Sequence, residues 1–426
     1  MAYADLDRNQ LEELAQSLER EYAEHCAKGL SLNMARGKPS AAQLELSLPL
    51  LDAIDAASVL SSEDGTDCRN YGTMDGIPEA KRLMGRIMDH DPENVCVFGN
   101  SSLNIMFDLV TQGMMHGYRG STPWKELESV KWLCPVPGYD RHFAITESYG
   151  IEMIPIALRE DGPDMDEAER LVANDPSIKG IWCVPQYSNP SGITYSDKTV
   201  ERLASMPCAA DDFRIFWDNA YCVHHLYAER TAHVADIAQA CETARNPDRY
   251  FKFASTSKVT FPGAGIAAVA ASAANIAEIK ARIGIQTVGY DKLNQLRHVR
   301  FLHDEHGVAI HMEKHAAILR PKFELVERML EEGLEDTGCA SWSKPDGGYF
   351  VSFDGMPRTA KRTVELAAKA GVTMTGAGAT WPHKNDPADS NIRIAPTLPP
   401  LEELEQAMEV FVCCVKLASV EALLGV

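Results

Sequence analysis

One lysine stands where it could react with a bound carbonyl compound. Lys258 closes the run Ser255-Thr-Ser-Lys, directly after the apolar stretch 250–254, and a glycine-rich loop follows at 262–265. Lysine forms Schiff bases with carbonyl groups once burial or neighbouring charge lowers its pKa. The pattern therefore indicates a nucleophilic amine at the end of a strand. A solvated loop lysine would have the same local sequence, so the motif is only moderately specific.

A carboxylate follows a second apolar run. Asp218 comes directly after Phe213-Arg-Ile-Phe-Trp217, and a carboxylate at the end of a central strand costs free energy unless it has a partner. A protonated pyridine nitrogen would be such a partner, because the ion pair keeps the ring an effective electron sink. Tyr221 lies close enough along the chain to reach the same pocket. The alternative is that Asp218 caps a following helix.

Two further turns carry groups that suit a ligand. Asn189, within Tyr187–Gly192, offers an amide that can hydrogen-bond a ring oxygen and a substrate carboxylate. Ser101 and Ser102 precede a predicted helix, where hydroxyls and free N–H groups form an anion site suited to phosphate. Plain structural alternatives remain open, namely an ordinary Asn-Pro turn and a serine N-cap.

The elements that would position these residues alternate between strands and helices. Short apolar runs at 95–98, 132–134, 181–184, 213–217 and 250–254 are predicted strands, and helix-like stretches separate them. This alternation predicts βαβ units in a largely parallel sheet with helices on both faces. Ligand sites in such sheets lie beyond the carboxyl ends of the strands, which is where the candidate residues fall.

The length of 426 residues predicts two lobes rather than one core. A long helical pattern over 293–332 is followed by strand candidates at 347–353 and 391–395, which indicates a smaller α+β lobe. We expect three parts: an N-terminal helix and segment that packs with the small domain (1–50), a large domain that carries the candidate site (51–300), and a small C-terminal α+β domain (301–426).

Composition excludes several classes of protein. The formal net charge of -20 argues against a nucleic-acid partner. The longest uncharged apolar stretch, 264–276, is short for a membrane span, and the N-terminus has no pattern of a secretory signal. Eleven cysteines without a CxxC pair indicate buried thiols in a reducing compartment. We therefore expect a cytoplasmic protein with no membrane partner.

A metal hydrolase is a weak alternative. It would rest on His224 and His225, or on His306 and His311. The first two are adjacent and diverge if they lie on a strand, and the second pair lacks the HExxH spacing. We expect no metal site.

Taken together, these residues resemble the fold-type I aminotransferases of class I/II that depend on pyridoxal phosphate. The resemblance extends from about Asn33 to the end. Three segments, 33–39, 70–78 and 255–262, look most like bacterial aspartate aminotransferases of subgroup Ic. The resemblance implies an α/β fold of the PLP-transferase type I, with a mostly parallel central sheet in a large domain and a smaller α+β domain. It also implies pyridoxal 5′-phosphate as the cofactor.

The resemblance implies a role for each matching residue. Lys258 would be the Schiff-base lysine and proton carrier, Asp218 the partner of the pyridine nitrogen, Tyr221 and Asn189 the contacts of the ring hydroxyl, Tyr139 the stacking residue, and Ser101, Ser102 and Ser255 the phosphate ligands. Arg393 would clamp the substrate α-carboxylate in a bidentate pair, near Gly37 and Asn189. Tyr71 would reach the phosphate of a neighbouring subunit, which implies a homodimer with shared active sites.

Two positions leave the binding of anions open. Relatives usually place a phosphate-binding arginine eight residues after the lysine, where this chain has Ile266. A distal substrate carboxylate would need another cation. Arg36 is our choice, with Arg141 and Arg297 as alternatives, and Arg36 would equally serve in a surface or subunit-interface ion pair.

The expected reaction moves an amino group from an L-amino acid, L-aspartate by resemblance, to a 2-oxo acid such as 2-oxoglutarate. Aminotransferases of other specificity, and lyases or decarboxylases that use the same cofactor, are the alternatives within the fold. A non-enzymatic regulator would require a fused DNA-binding module, and neither such a module nor a basic charge is found in the sequence.

Overall fold

The computed structural model describes residues 2–426. Several of its helices begin at side-chain caps: α1 starts at Asp7, whose carboxylate accepts a hydrogen bond from the Gln10 N–H while the Gln10 side-chain oxygen accepts one from the Asp7 N–H. The helices are α1 (Arg8–Ala27), α2 (Ala41–Glu45), α3 (Pro78–Met88), α4 (Ser102–His116), α5 (Asp140–Ser148), α6 (Met165–Val172), α7 (Asp197–Ser205), α8 (Ile237–Thr243), α9 (Ala273–Gln286), α10 (Lys292–Leu302), α11 (Glu305–Leu334), α12 (Ala360–Lys369) and α13 (Leu401–Leu424).

Short strands alternate with these helices over most of the chain. They are β1 (Leu32–Asn33), β2 (Val95–Phe98), β3 (Lys131–Val136), β4 (Glu152–Arg159), β5 (Gly162–Pro163), β6 (Ile178–Cys183), β7 (Arg214–Asp218), β8 (Tyr250–Ser255), β9 (Ala267–Ala271), β10 (Ala340–Trp342), β11 (Val351–Gly355), β12 (Val372–Thr373) and β13 (Asn391–Ile394).

Within residues 2–426, eight of these strands form one sheet in the order β2-β9-β8-β7-β6-β3-β4-β5. The central pairs, from β8 to β4, are parallel, whereas β9 and β5 run antiparallel to their neighbours. Strand β2 therefore points the same way as β8, and the carboxyl ends of β2, β3, β6, β7 and β8 meet at one edge. The predicted α/β fold with a mostly parallel central sheet is confirmed, and the antiparallel β9 falls in the apolar stretch 264–276.

A three-stranded antiparallel sheet, β10-β11-β13, forms the centre of the smaller lobe. Its core combines buried side chains of α11, α12 and α13 with Leu11 and Leu18 of α1. The N-terminal segment joins this lobe as well, because β1 pairs with β12 in parallel. The helical pattern expected over 293–332 is two helices, since the chain breaks at His303 and Asp304, where Asp304 caps α11.

Candidate active site

Lys258 lies three residues beyond the end of β8, in a turn of the chain. Its side chain is partly buried, and Nζ lies 4.9 Å from the ring centroid of Tyr221 and 6.0 Å from that of Tyr349. Burial lowers the pKa of Lys258, and the negative charge of Asp218 opposes that shift. The amine therefore loses its proton more readily here than it would in a solvated loop.

Asp218 is the last residue of β7 and is only 4% exposed. Its Oδ2 accepts a hydrogen bond of 3.0 Å from His142 Nε2, whereas its Oδ1 is buried and has no partner in the part of the chain that the structure describes. Turns follow β7, so Asp218 caps no helix. A buried carboxylate oxygen without a donor is costly, so Oδ1 fits a ligand that brings an N–H group.

His142 holds this carboxylate, and sequence reasoning missed it. The imidazole stacks on Trp182, with ring centroids 4.6 Å apart and planes 13° from parallel, and Tyr139 contacts its edge. His142 and Asp218 are 76 positions apart in the sequence, so no local pattern could have revealed the pair. A histidine one turn after the Pro-Val-Pro-Gly-Tyr run was the only available signal.

The serines predicted to bind phosphate surround open space. Ser101 stands at the N-cap of α4, yet its hydroxyl makes no capping bond, and Ser102 is the first residue of the helix. A methyl group added at Gly99 or at Gly263 would meet no atom within 4 Å. With Ser255 at the end of β8, these positions form a cradle at a helix N-terminus that fits a phosphate group.

The lysine turn is tied to this cradle by contacts that the sequence did not reveal. The Ser257 hydroxyl donates to the Asn100 carbonyl (2.7 Å), and the Asn100 side chain donates to the Pro262 carbonyl (2.9 Å). Ile266 is buried in an apolar core with Leu296, and its N–H donates to the Thr256 hydroxyl. Position 266 therefore contributes packing and no cation.

Arg393, on β13 of the small lobe, faces the large domain. Its Nη1 donates to Asp140 Oδ1 (2.9 Å) and to Asn189 Oδ1 (3.2 Å), and its guanidinium lies 4.9 Å from the Phe350 ring centroid. The Arg393 Nε is buried and has no partner among residues 2–426. The guanidinium is held in place and still has an unpartnered N–H group, so it suits a carboxylate ligand. The structure thus brings Asn189 and Arg393 together.

Gly37 packs against the ring of Phe350, which also contacts the Arg393 guanidinium. A Cβ atom at Gly37 would stand 2.4 Å from Cζ of Phe350, so only glycine allows this approach. Hydrogen bonds to the backbone hold the flanking segment on the small lobe: the Thr375 hydroxyl donates to Ala35 O (2.7 Å) and the Thr397 hydroxyl to Lys38 O (3.0 Å).

Two tyrosines line the space between the lysine and the arginine. Burial raises the pKa of Tyr139 to about 12, and the charges of Asp218 and Asp140 add to the effect. Burial likewise raises the pKa of Tyr221 well above its ordinary value. Both phenols are therefore protonated at neutral pH and can donate hydrogen bonds.

The three arginines considered for a distal carboxylate lie in different settings. Arg36 and Arg141 are exposed, and Arg36 makes no side-chain hydrogen bond or ion pair in the described chain. Arg297 is half-buried on α10, where its Nη2 donates to Asn294 Oδ1 (2.5 Å). Asn294 in turn donates to the carbonyls of Ala264 and Gly265 in the loop after the lysine.

The histidines of the metal-hydrolase alternative serve other purposes. His224 Nε2 lies 3.4 Å from the Lys258 carbonyl, His225 bonds the Tyr187 hydroxyl, and His311 bonds the Val259 carbonyl. Across residues 2–426, the one group of three potential metal ligands is Glu21, His25 and Cys413, between α1 and α13. No described helix combines the length and apolar character needed to cross a membrane.

Comparison with known proteins decides the family. The sequence model of the aspartate amino-transferase family matches residues 6–426. An aspartate aminotransferase of Corynebacterium glutamicum is 45% identical over 98% of this chain and 96% of its own. The chain belongs to the aspartate aminotransferase family. It is therefore a transaminase, which sets aside the metal-hydrolase and regulator alternatives.

Solved structures agree with the fold of this aminotransferase. The crystal structure of an aspartate transaminase from Corynebacterium glutamicum matches with a TM-score of 0.96, at 44% identity, over 99% of each chain. A Thermus thermophilus α-aminoadipate aminotransferase matches with a TM-score of 0.72 over 95% of each chain, but at 18% identity, so it supports the fold alone. Members of this family and fold type use pyridoxal phosphate.

Proposed function

We propose that this aminotransferase binds pyridoxal 5′-phosphate at Lys258 and transfers the amino group of L-aspartate to 2-oxoglutarate. The observation that carries the proposal is the buried, unpartnered Oδ1 of Asp218 in the pocket of a lysine whose pKa is lowered. A protonated pyridine nitrogen is the partner that this oxygen lacks. The open cradle beside Ser101 and Gly99 fits the phosphate of the same molecule.

The residues divide the work in this proposal. Bound pyridoxal phosphate supplies an electron-accepting ring. The neutral Nζ of Lys258 takes the proton from the substrate Cα and later returns one, as a general base and acid. Asp218 Oδ1 would hold the ring N–H, and His142 would keep that carboxylate oriented. The Tyr221 hydroxyl and the Asn189 amide would contact the ring hydroxyl, and Tyr139 would stack on the ring.

Substrate recognition is assigned to the small lobe and the N-terminal segment. Arg393 offers the geometry for the α-carboxylate, and Arg36, exposed beside Gly37, offers a free cation for the distal carboxylate. The names of the Corynebacterium glutamicum relatives support L-aspartate as the amino donor. Product analysis for ammonia, CO₂ or a 2-oxo acid would distinguish transamination from a lyase or decarboxylase reaction with the same cofactor.

A homodimer with shared active sites is part of this proposal. The side chain of Tyr71 is 81% exposed, and further exposed apolar side chains surround it on one surface. This surface comprises Met74, Ile285 and Val288, with the Gly72 N–H bonded to Val288 O. Burial of such a patch against a second copy would bring Tyr71 toward the phosphate of that copy.

The decisive experiment is the near-visible absorption spectrum of the purified protein before and after addition of L-aspartate, for the wild type and for Lys258→Ala. We expect the wild type to show a cofactor band that shifts with aspartate. The variant should keep bound cofactor but lose transamination on the order of 10⁴-fold. A wild-type band that ignores aspartate would refute the substrate, and substantial turnover by Lys258→Ala would falsify the role of the lysine.

A further inference from the structure

A buried polar network lies behind the lysine turn, on the side of the small lobe. Its members are Gln43, Ser47, His311, His315 and Tyr349, none of them more than 5% exposed. They come from three parts of the chain: the N-terminal segment, helix α11, and the chain just before β11. No step of the proposed reaction uses them, and buried polar groups in such numbers need an explanation.

The orientation of the Gln43 amide is fixed by its surroundings. Its Oε1 accepts the backbone N–H of Ser40 (3.0 Å), in the capping box of α2. Its Nε2 must therefore supply the two remaining bonds, one to Tyr349 Oη (3.0 Å) and one to His315 Nδ1 (3.1 Å). Both polar atoms of this side chain are therefore bonded. The three bonds need one acceptor and two donors, which a glutamine amide supplies.

Both bonds lead to the backbone around the lysine. Tyr349 Oη accepts from Gln43, so its own proton is free to point at the Lys258 carbonyl, 3.4 Å away. His315 accepts at Nδ1, so as a neutral ring it carries its proton on Nε2. His315 Nε2 lies 3.2 Å from His311 Nε2, and His311 Nε2 lies 2.8 Å from the Val259 carbonyl. Burial lowers the pKa of His315 to about 4, so the ring is neutral at physiological pH.

We propose that Gln43 is a positioning residue that fixes the backbone of Lys258 from the N-terminal segment. It acts through Tyr349 on one carbonyl and through the pair His315 and His311 on the next. Gln43 lies six residues after Gly37, in the same segment that reaches the substrate arginine. This one amide therefore links the packing of the N-terminal segment to the position of the Lys258 side chain. The inference rests on the proposed function of Lys258.

The test is Gln43→Leu, which keeps the volume and removes both donors. We expect kcat for L-aspartate to fall about 10- to 100-fold, since small displacements of a proton-transfer group cost rate. KM should change much less, because no substrate contact is lost. The pH midpoint of the cofactor–lysine absorption band should move by about one unit. A merely structural role would leave that midpoint in place.

Gln295→Leu is the matched control. Gln295 is also a buried amide, and its Oε1 accepts the Ile77 N–H on the far side of α10. It should lose stability without moving the midpoint. Tyr349→Phe keeps the ring and removes the hydroxyl that joins Gln43 to the Lys258 carbonyl, but leaves the bond between Gln43 and His315 in place. It should therefore shift the midpoint in the same direction by less. Tyr349→Phe also tests the proposal if Gln43→Leu does not fold.

The two hypotheses fail in distinguishable ways. A wild-type protein without any cofactor band would overturn the proposed function and this inference with it. A wild-type band with an ordinary aspartate response, together with a midpoint and kcat that are unchanged in Gln43→Leu or, failing that variant, in Tyr349→Phe, would overturn the positioning role alone.

Discussion

Two sides of the active site are built in different ways. The lysine side, comprising Ser101, Asp218 and Lys258, stands at the carboxyl ends of strands in one sheet. Asp218 is the last residue of its strand, and Ser101 and Lys258 each lie three residues beyond the end of theirs. The carboxylate side, comprising Arg36, Gly37 and Arg393, joins an N-terminal segment to a strand of the other lobe. Arg393 lies more than 300 positions from Arg36 and Gly37, and Arg36 is exposed and unpaired in the described chain.

The difference predicts which residues control the rate of the chemical step and which control substrate specificity. The lysine side is held by a rigid sheet, so changes there should alter the chemical step and leave affinity largely intact. The carboxylate side is completed only when the N-terminal segment packs on the small lobe. Changes there should alter KM and the choice of substrate. Four predictions break or sharpen this division, in order of decreasing effect.

Asp218→Asn should have the largest effect. Asparagine keeps the shape but cannot form the ion pair with a protonated ring nitrogen, so kcat should fall on the order of 10²- to 10³-fold. Steady-state kinetics with L-aspartate measure this. Asp140→Asn is the contrast on the other side, because it removes the carboxylate that orients Arg393; it should act mainly on KM. Equal effects of both variants on kcat would break the division.

Gly37→Ala should raise KM for L-aspartate about 10- to 100-fold. The added methyl group would stand 2.4 Å from the Phe350 ring, and that ring supports the Arg393 guanidinium. Gly376→Ala is a matched control, because a Cβ there meets nothing within 4 Å and the residue lies in the same lobe. An unchanged KM in Gly37→Ala would show that Phe350 can move without carrying the arginine with it.

Arg36→Ala should raise KM for L-aspartate about tenfold, the usual size of one lost hydrogen bond to a charged group, and leave KM for L-alanine unchanged. Only aspartate carries the distal carboxylate. Lys38→Ala removes an exposed cation from the same segment and should leave both values alone. If Arg36→Ala affects both substrates equally, the distal carboxylate is bound elsewhere, with Arg141 and Arg297 the next candidates.

The same division explains what the sequence could predict. Lys258, Asp218 and Ser101 could be predicted to lie together because each follows an apolar run within four residues, and parallel strands bring their ends to one edge of the sheet. His142 and Gln43 were not found, since their partners lie 76 and about 270 to 310 residues away and leave no periodic trace. The break between α10 and α11 was missed for a related reason. Apolar residues resume at helical spacing on either side of His303 and Asp304, as Phe301 and Val308 show, but the helix ends there because Asp304 turns to cap the next one.

The smallest effect concerns stability on the lysine side. His298 of α10 bonds the Thr260 hydroxyl, two residues after the lysine, and burial lowers its pKa to about 4 from an ordinary 6.5. The unfolded chain binds this proton at a higher pH than the folded chain does. Stability is therefore complete above pH 6.5 and declines as the pH falls toward 4, by about 3 kcal/mol for a shift of this size. Chemical denaturation of His298→Gln should show a correspondingly weaker pH dependence than the wild type, whereas His306→Gln, an exposed control, should follow the wild type. An identical dependence of unfolding free energy on pH in all three proteins would mean that His298 is protonated within the folded protein. The turn carrying Lys258 would then be less tightly enclosed than the carboxylate side.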